Sequence, residues 1–111
     1  MYGWSHWTVS ALTRWRLEWR VKRESAHIAR VIYPALLESV RRKLPSTSLA
    51  ELTEYAGVRA AQLSQERVDS IMRGNSELPG TFATRILLKS VEQSTNSVLA
   101  AVKSTSPRRA T

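Results

Sequence analysis

The side chains best suited to acid–base chemistry come in two pairs, Glu51 with Glu54 and Glu66 with Asp69, each three residues apart. On a helix that spacing puts both carboxylates on one face, as general acid/base catalysis needs, although exposed helix faces carry such pairs routinely. The two histidines, His6 and His27, fall on different predicted helices. Neither stands in an HExxH arrangement, so no metal site is expected. None of the four glycines belongs to GxxxxGK or GxGxxG, which leaves no phosphate cradle, and the fourteen serines have no histidine or lysine partner at a motif spacing. Cysteine is absent, which removes thiolate, disulfide and zinc-knuckle chemistry. The expectation is a protein that is not an enzyme, with no cofactor and no small-molecule substrate.

Binding chemistry is better represented. The net charge is +8, and its distribution is uneven. Residues 1–44 hold nine basic side chains (Arg14, Arg16, Arg20, Lys22, Arg23, Arg30, Arg41, Arg42 and Lys43) against Glu18, Glu24 and Glu38. Residues 45–103 balance, and Arg108 and Arg109 supply the rest. Such an excess marks an end that faces a polyanion, and Arg41, Arg42, Lys43, Arg108 and Arg109 are the candidates for phosphate contacts.

All four tryptophans lie in the segment GWSHWTVSALTRWRLEW, residues 3–19. At 100° per residue Trp4, Trp7, Ala11, Trp15 and Trp19 share roughly a third of the helix circumference, with His6, Thr13, Arg16, Arg20 and Arg23 pointing away. Three readings fit that stripe. It is core laid on a C-terminal helix, an interface using the residues most enriched at hot spots, or a membrane-surface helix. Trp4, Trp7, Trp15 and Trp19 are the candidate interface residues, and association into a homodimer or a larger assembly is expected, because that much apolar area exceeds what monomers expose.

These residues must be positioned by helices, since no segment alternates with period two and periodicity near 3.6 runs along most of the chain. An amphipathic helix is expected over residues 1–24 and a basic one over 25–44, with Ile28, Ile32, Leu36, Val40 and Leu44 at four-residue spacing and Pro34 kinking or splitting it. Ser46, Thr47 or Ser48 can cap a short helix that ends near Gly57, with Glu51 completing a capping box from Ser48. A second short helix then runs from a Ser64 cap to Gly74, with Val68, Ile71 and Met72 on one face. A long helix spans 81–103, with Leu88, Val91, Thr95, Val98 and Val102 as its stripe, and residues 104–111 form a disordered basic tail. The fold class is all-α, a single-domain bundle over 1–103 of about five helices, reckoned from these start and stop signals.

The stretch SLAELTEYAGV, residues 48–58, followed by RVDSIMRGNSELPGTFATRILLKSV, residues 67–91, resembles the helix-turn-helix of lambda-repressor-like (Cro/C1-type) DNA-binding domains. The resemblance implies that 48–74 holds two helices packed at a steep angle about Gly57, with Leu49 and Leu52 inward. An insertion at Arg59 to Leu63 would lengthen the turn. The resemblance further implies that the second helix enters the major groove, with Gln65, Arg67, Asp69, Ser70 and Arg73 facing bases of duplex DNA. The leading expectation is a small DNA-binding regulator or accessory protein working as a dimer. The alternative is a non-enzymatic helical adaptor or structural subunit, docking through its Trp/Arg helix on protein, RNA or an anionic membrane.

No apolar stretch approaches the roughly 18 residues that span a bilayer, and the N-terminus lacks the pattern of a secretory signal. A cytoplasmic or nucleoid-associated location is expected, with an organellar one left open by the Arg-rich, acid-poor start.

Overall fold

The computed structural model describes the backbone of residues 2–44, 47–75 and 78–105 and, within these, the side chains of all but 2–12 and 105. Three helices account for nearly all of it: α1 (Tyr2–Lys43), α2 (Leu49–Gly74) and α3 (Gly80–Thr105). No strand occurs among the described residues. The short connections turn α2 back along α1 and α3 back along α2, and all three helices touch one another. The chain measures 68 × 29 × 19 Å, its long dimension set by the 42-residue α1.

Each helix buries one stripe. On α1 it is Val21, Ser25, Ile28, Ile32, Leu36 and Val40, including four of the five positions at the spacing read from the sequence. On α2 it is Leu52, Ala56, Ala60, Ser64 and Val68, and on α3 Phe82, Ile86, Ser90, Ser94, Val98 and Val102, both in steps of four. Small side chains recur along all three stripes, Ser25 on α1, Ala56, Ala60 and Ser64 on α2, and Ser90 and Ser94 on α3, and Ala60 stands level with Leu36 and Val40 of α1, where Arg59 Nε donates to Ser39 Oγ at 3.4 Å. Small side chains at a crossing let helix axes approach closely. The buried hydroxyls of α3 turn inward on their own helix, Ser90 Oγ donating to Ile86 O and Ser94 Oγ to Ser90 O, both at 2.7 Å.

The count of three helices corrects the expectation of about five. No break separates 1–24 from 25–44: Ser25 is buried in the core and its Oγ donates to Lys22 O at 3.1 Å. Pro34 lies inside α1 and does not divide it. It removes one backbone donor, but it stands on the exposed side, where water can take the freed carbonyl, and Ile32 and Leu36 anchor the helix on either side.

The two short central helices are likewise one. Ser48 caps α2, its Oγ accepting from Glu51 N at 3.3 Å, and the helix then continues through Gly57 and Ser64 to Gly74. Between Gly57 and Ser64 the chain has no proline and two alanines, and the buried series Leu52, Ala56, Ala60, Ser64, Val68 passes straight across the expected turn. Ser64, expected as a cap, is fully buried instead. Leu49, expected inward, is exposed, and so is Leu88, whose place in the α3 stripe Ile86 and Ser90 take.

Gly57 tests this continuity. No described glycine has a positive φ, and a Cβ built at Gly57 meets nothing within 4 Å. Gly57→Ala should therefore raise stability by about 0.5–1 kcal/mol in chemical denaturation, the ordinary gain for a glycine inside a helix. A decrease of similar size would show a left-handed turn at that position and divide the helix there.

Polar contacts fix the helices lengthwise. Arg20 Nη2 donates to Asn75 Oδ1 at 2.8 Å, tying α1 to the C-cap of α2, and Asn75 Nδ2 donates to Ile71 O at 2.9 Å. Arg85 on α3 pairs with Glu18 on α1 at 2.6 Å. At 1.5 Å rise per residue these contacts place the start of α3 level with about residue 13 of α1, so the first turns of α1 run beyond both neighbours.

The hydrogen bond from Arg85 holds the Glu18 carboxyl below the usual carboxylate value of 4.5, and the paired carboxylate raises Arg85 in turn. A carboxylate lowered in the folded state stabilises above its unfolded value and loses that contribution as pH falls. The stability difference between the native chain and Glu18→Gln should be present at neutral pH and shrink to nothing as the pH drops below 4.5 through the lowered folded value. A difference that persists unchanged at low pH would mean that the pair contributes nothing.

Candidate functional site

The tryptophans that the structure describes are not core. Trp15 is 64% exposed and Trp19 53% exposed, whereas among the described side chains of this part of α1 it is the partly buried Leu17 and the fully buried Val21 that face the core. The reading that packs this stripe on α3 is therefore corrected at Trp15 and Trp19. Glu18, between them, makes the contact with α3 instead, and the Arg23 guanidinium lies 5.5 Å from the centre of the Trp19 ring. Trp4 and Trp7 lie within α1 but outside the side chains described.

These two indoles open a groove along the outer seam of α1 and α3. A first depression of about 260 Å³ is lined by Trp15, Glu18, Trp19, Lys22 and Lys89. A second, of about 440 Å³, follows along the same pair of helices and is lined by Ala26, Ala29, Arg30, Tyr33, Gln93 and Ser97. The α1 contributions, Trp15, Trp19, Lys22, Ala26, Ala29 and Tyr33, step by four and three in alternation, which draws a straight line on a helix. That spacing is legible in the sequence, but without the fold it is indistinguishable from a buried stripe. The floor is small and the rim basic: among the described residues Lys22, Arg30 and Lys89 make no salt bridge, and the one acidic side chain lining either depression, Glu18, is already held by Arg85.

The other expected residues are dispersed. Gln65, Arg67, Asp69, Ser70 and Arg73 are all exposed on α2, where Gln65 Nε2 donates to Asp69 Oδ1 at 2.8 Å. Because 48–56 and 65–73 belong to one helix, no second helix crosses behind them in the way the resemblance to a helix-turn-helix implies. Arg41, Arg42 and Lys43 are exposed at the end of α1, with Arg42 paired to Glu38 at 2.6 Å and Lys43 5.3 Å from the Tyr55 ring centre. Arg108 and Arg109 lie outside the described residues, as does the whole of 106–111.

The carboxylates Glu51, Glu54, Glu66 and Asp69 are exposed on α2 and line neither depression. The side chain of His6 is not described, and His27 lines neither depression. Among the described residues no group of three or more His, Cys, Asp or Glu could hold a metal ion, and no helix is long and apolar enough to cross a membrane. Compared with known proteins, the chain matches no family model, no curated relative and no solved structure.

Proposed function

We propose that this protein is a non-enzymatic helical adaptor, or a structural subunit of a larger assembly, that docks through the Trp/basic face of α1. The observation that carries the reading is the exposure of Trp15 and Trp19 beside Arg23 and Lys22 on a helix whose apolar core stripe is already satisfied elsewhere. Tryptophan and arginine are the side chains most enriched at binding hot spots, and an indole left in water forfeits the burial of roughly 200 Å² that it offers a partner. The test is a photoreactive residue in place of Trp15 or Trp19 in the full chain, expressed in the cell that makes it. Crosslinks to a discrete protein species from these positions, and none from Ser70 on the far helix, support docking. Equal yields from Ser70, or no crosslinks at all, would refute it.

A second reading, duplex DNA held by its phosphates, is favoured by the exposed run Arg41, Arg42 and Lys43 and by the basic excess of α1. Replacing all three with glutamine should then weaken DNA binding at every sequence. It should also flatten the salt dependence by roughly 0.9 in log–log slope for each phosphate no longer neutralised. An unchanged slope, measured by fluorescence anisotropy over a salt series, would leave those side chains merely solvated.

A further inference from the structure

We infer that the outer α1–α3 groove seats an amphipathic helix of a partner protein, one with small apolar residues on the face that enters and acidic residues along its margins. This rests on the docking reading above and names the partner's chemistry. Three features define the occupant. The groove runs along a helix pair, and its α1 wall repeats in alternating steps of four and three, the register in which one helix meets another. Ala26, Ala29 and Ser97 line it with side chains short enough for a backbone to come close, while Trp15 and Trp19 at one end and Tyr33 at the other offer ring surface for anchoring contacts. Lys22, Arg30 and Lys89 leave the margins positive, with Glu18 already engaged by Arg85.

Charge selects among occupants. A second copy laid in the groove would bring a second set of the same basic side chains against the first, and like charges across an interface oppose association. A flat bilayer would meet the rim and the indoles but not the Ala26–Ala29 floor. A phosphate backbone would gain from the rim and nothing from the floor. An acidic helix satisfies floor and rim together.

The probe is a capped, tryptophan-free synthetic helix with alanine in the entering stripe and glutamate at its margins, titrated into the full-length protein. Its control carries lysine at every glutamate position. The acidic peptide should saturate at one per chain. It should shift the NMR signals of the Trp15 and Trp19 indoles and of Ala26, Ala29, Tyr33, Gln93 and Ser97, and bind at least tenfold more tightly than the control. Arg30→Glu, an exposed change that leaves the core untouched, should weaken it about tenfold while the thermal melt stays put. Equal binding of the two peptides, no binding of either, shifts centred on another face, or concentration-dependent doubling of the mass with the same indoles shifting would each overturn the proposal. Absence of peptide binding while photocrosslinks at Trp15 persist would sink only the acidic-helix partner. Failure of the crosslinks removes the docking reading beneath it.

Discussion

Leu36→Ala is expected to lower unfolding free energy by about 2–5 kcal/mol, measured by denaturant titration. Leu36 is fully buried in the core cluster that also holds Ile32, Val40 and Leu52. Much of the α2 and α3 stripes is alanine and serine, so the large groups carry a disproportionate share of the apolar burial, and short neighbours such as Ala60 cannot fill a cavity left by one of them. The reverse substitution makes the complementary point. Ala60→Leu, at a fully buried position level with Leu36 and Val40, should cost about 1–3 kcal/mol through overpacking, although it adds apolar volume. A neutral Leu36→Ala would mean that α1 is not anchored where Ile32 and Leu36 hold it.

Ser64→Ala should have the opposite sign and stabilise the fold by about 1–3 kcal/mol, the cost of a buried hydroxyl left without a partner. Ser64 Oγ is buried with no hydrogen-bond partner, whereas Ser90 and Ser94, also buried, donate to carbonyls of their own helix. Ser90→Ala is the control. It removes both a hydroxyl and the bond it makes, so its effect should be much smaller. If Ser64→Ala destabilises, the hydroxyl has a partner in solution and water reaches the core.

Much of this architecture was legible in the sequence. The four-residue spacing of Ile28, Ile32, Leu36 and Val40, the cap at Ser48 and the helix end at Gly74 all follow from periodicity and capping chemistry. The number of helices does not, because Gly57 and Ser64 are punctuation only when the neighbouring stripe stops. Here alanine and serine continue that stripe, and to a reader of hydrophobicity they resemble a gap. Pro34 misleads for a related reason: its cost depends on which side of the helix it occupies, and the fold sets that.

The site was half legible. Four tryptophans in seventeen residues signal a surface of consequence, but a stripe on a wheel does not say what it faces, and the core edge of α1 turns out to be Leu17, Val21 and Ser25. The groove continuing through Lys22, Ala26 and Ala29 was missed, because those residues are neither apolar enough nor charged enough to stand out before α3 is laid beside them.

The claim at the centre of this account is that the Trp15 and Trp19 indoles face solvent in the free chain and are kept for a partner. Replacing Trp4 and Trp7 with phenylalanine leaves Trp15 and Trp19 as the only tryptophans, so their emission and its quenching by acrylamide report that face alone. At a dilution where sedimentation gives the mass of one chain, the account predicts long-wavelength emission quenched nearly as readily as free indole. Blue-shifted emission protected from acrylamide at that same mass would contradict it, because both rings would then be buried within the single chain.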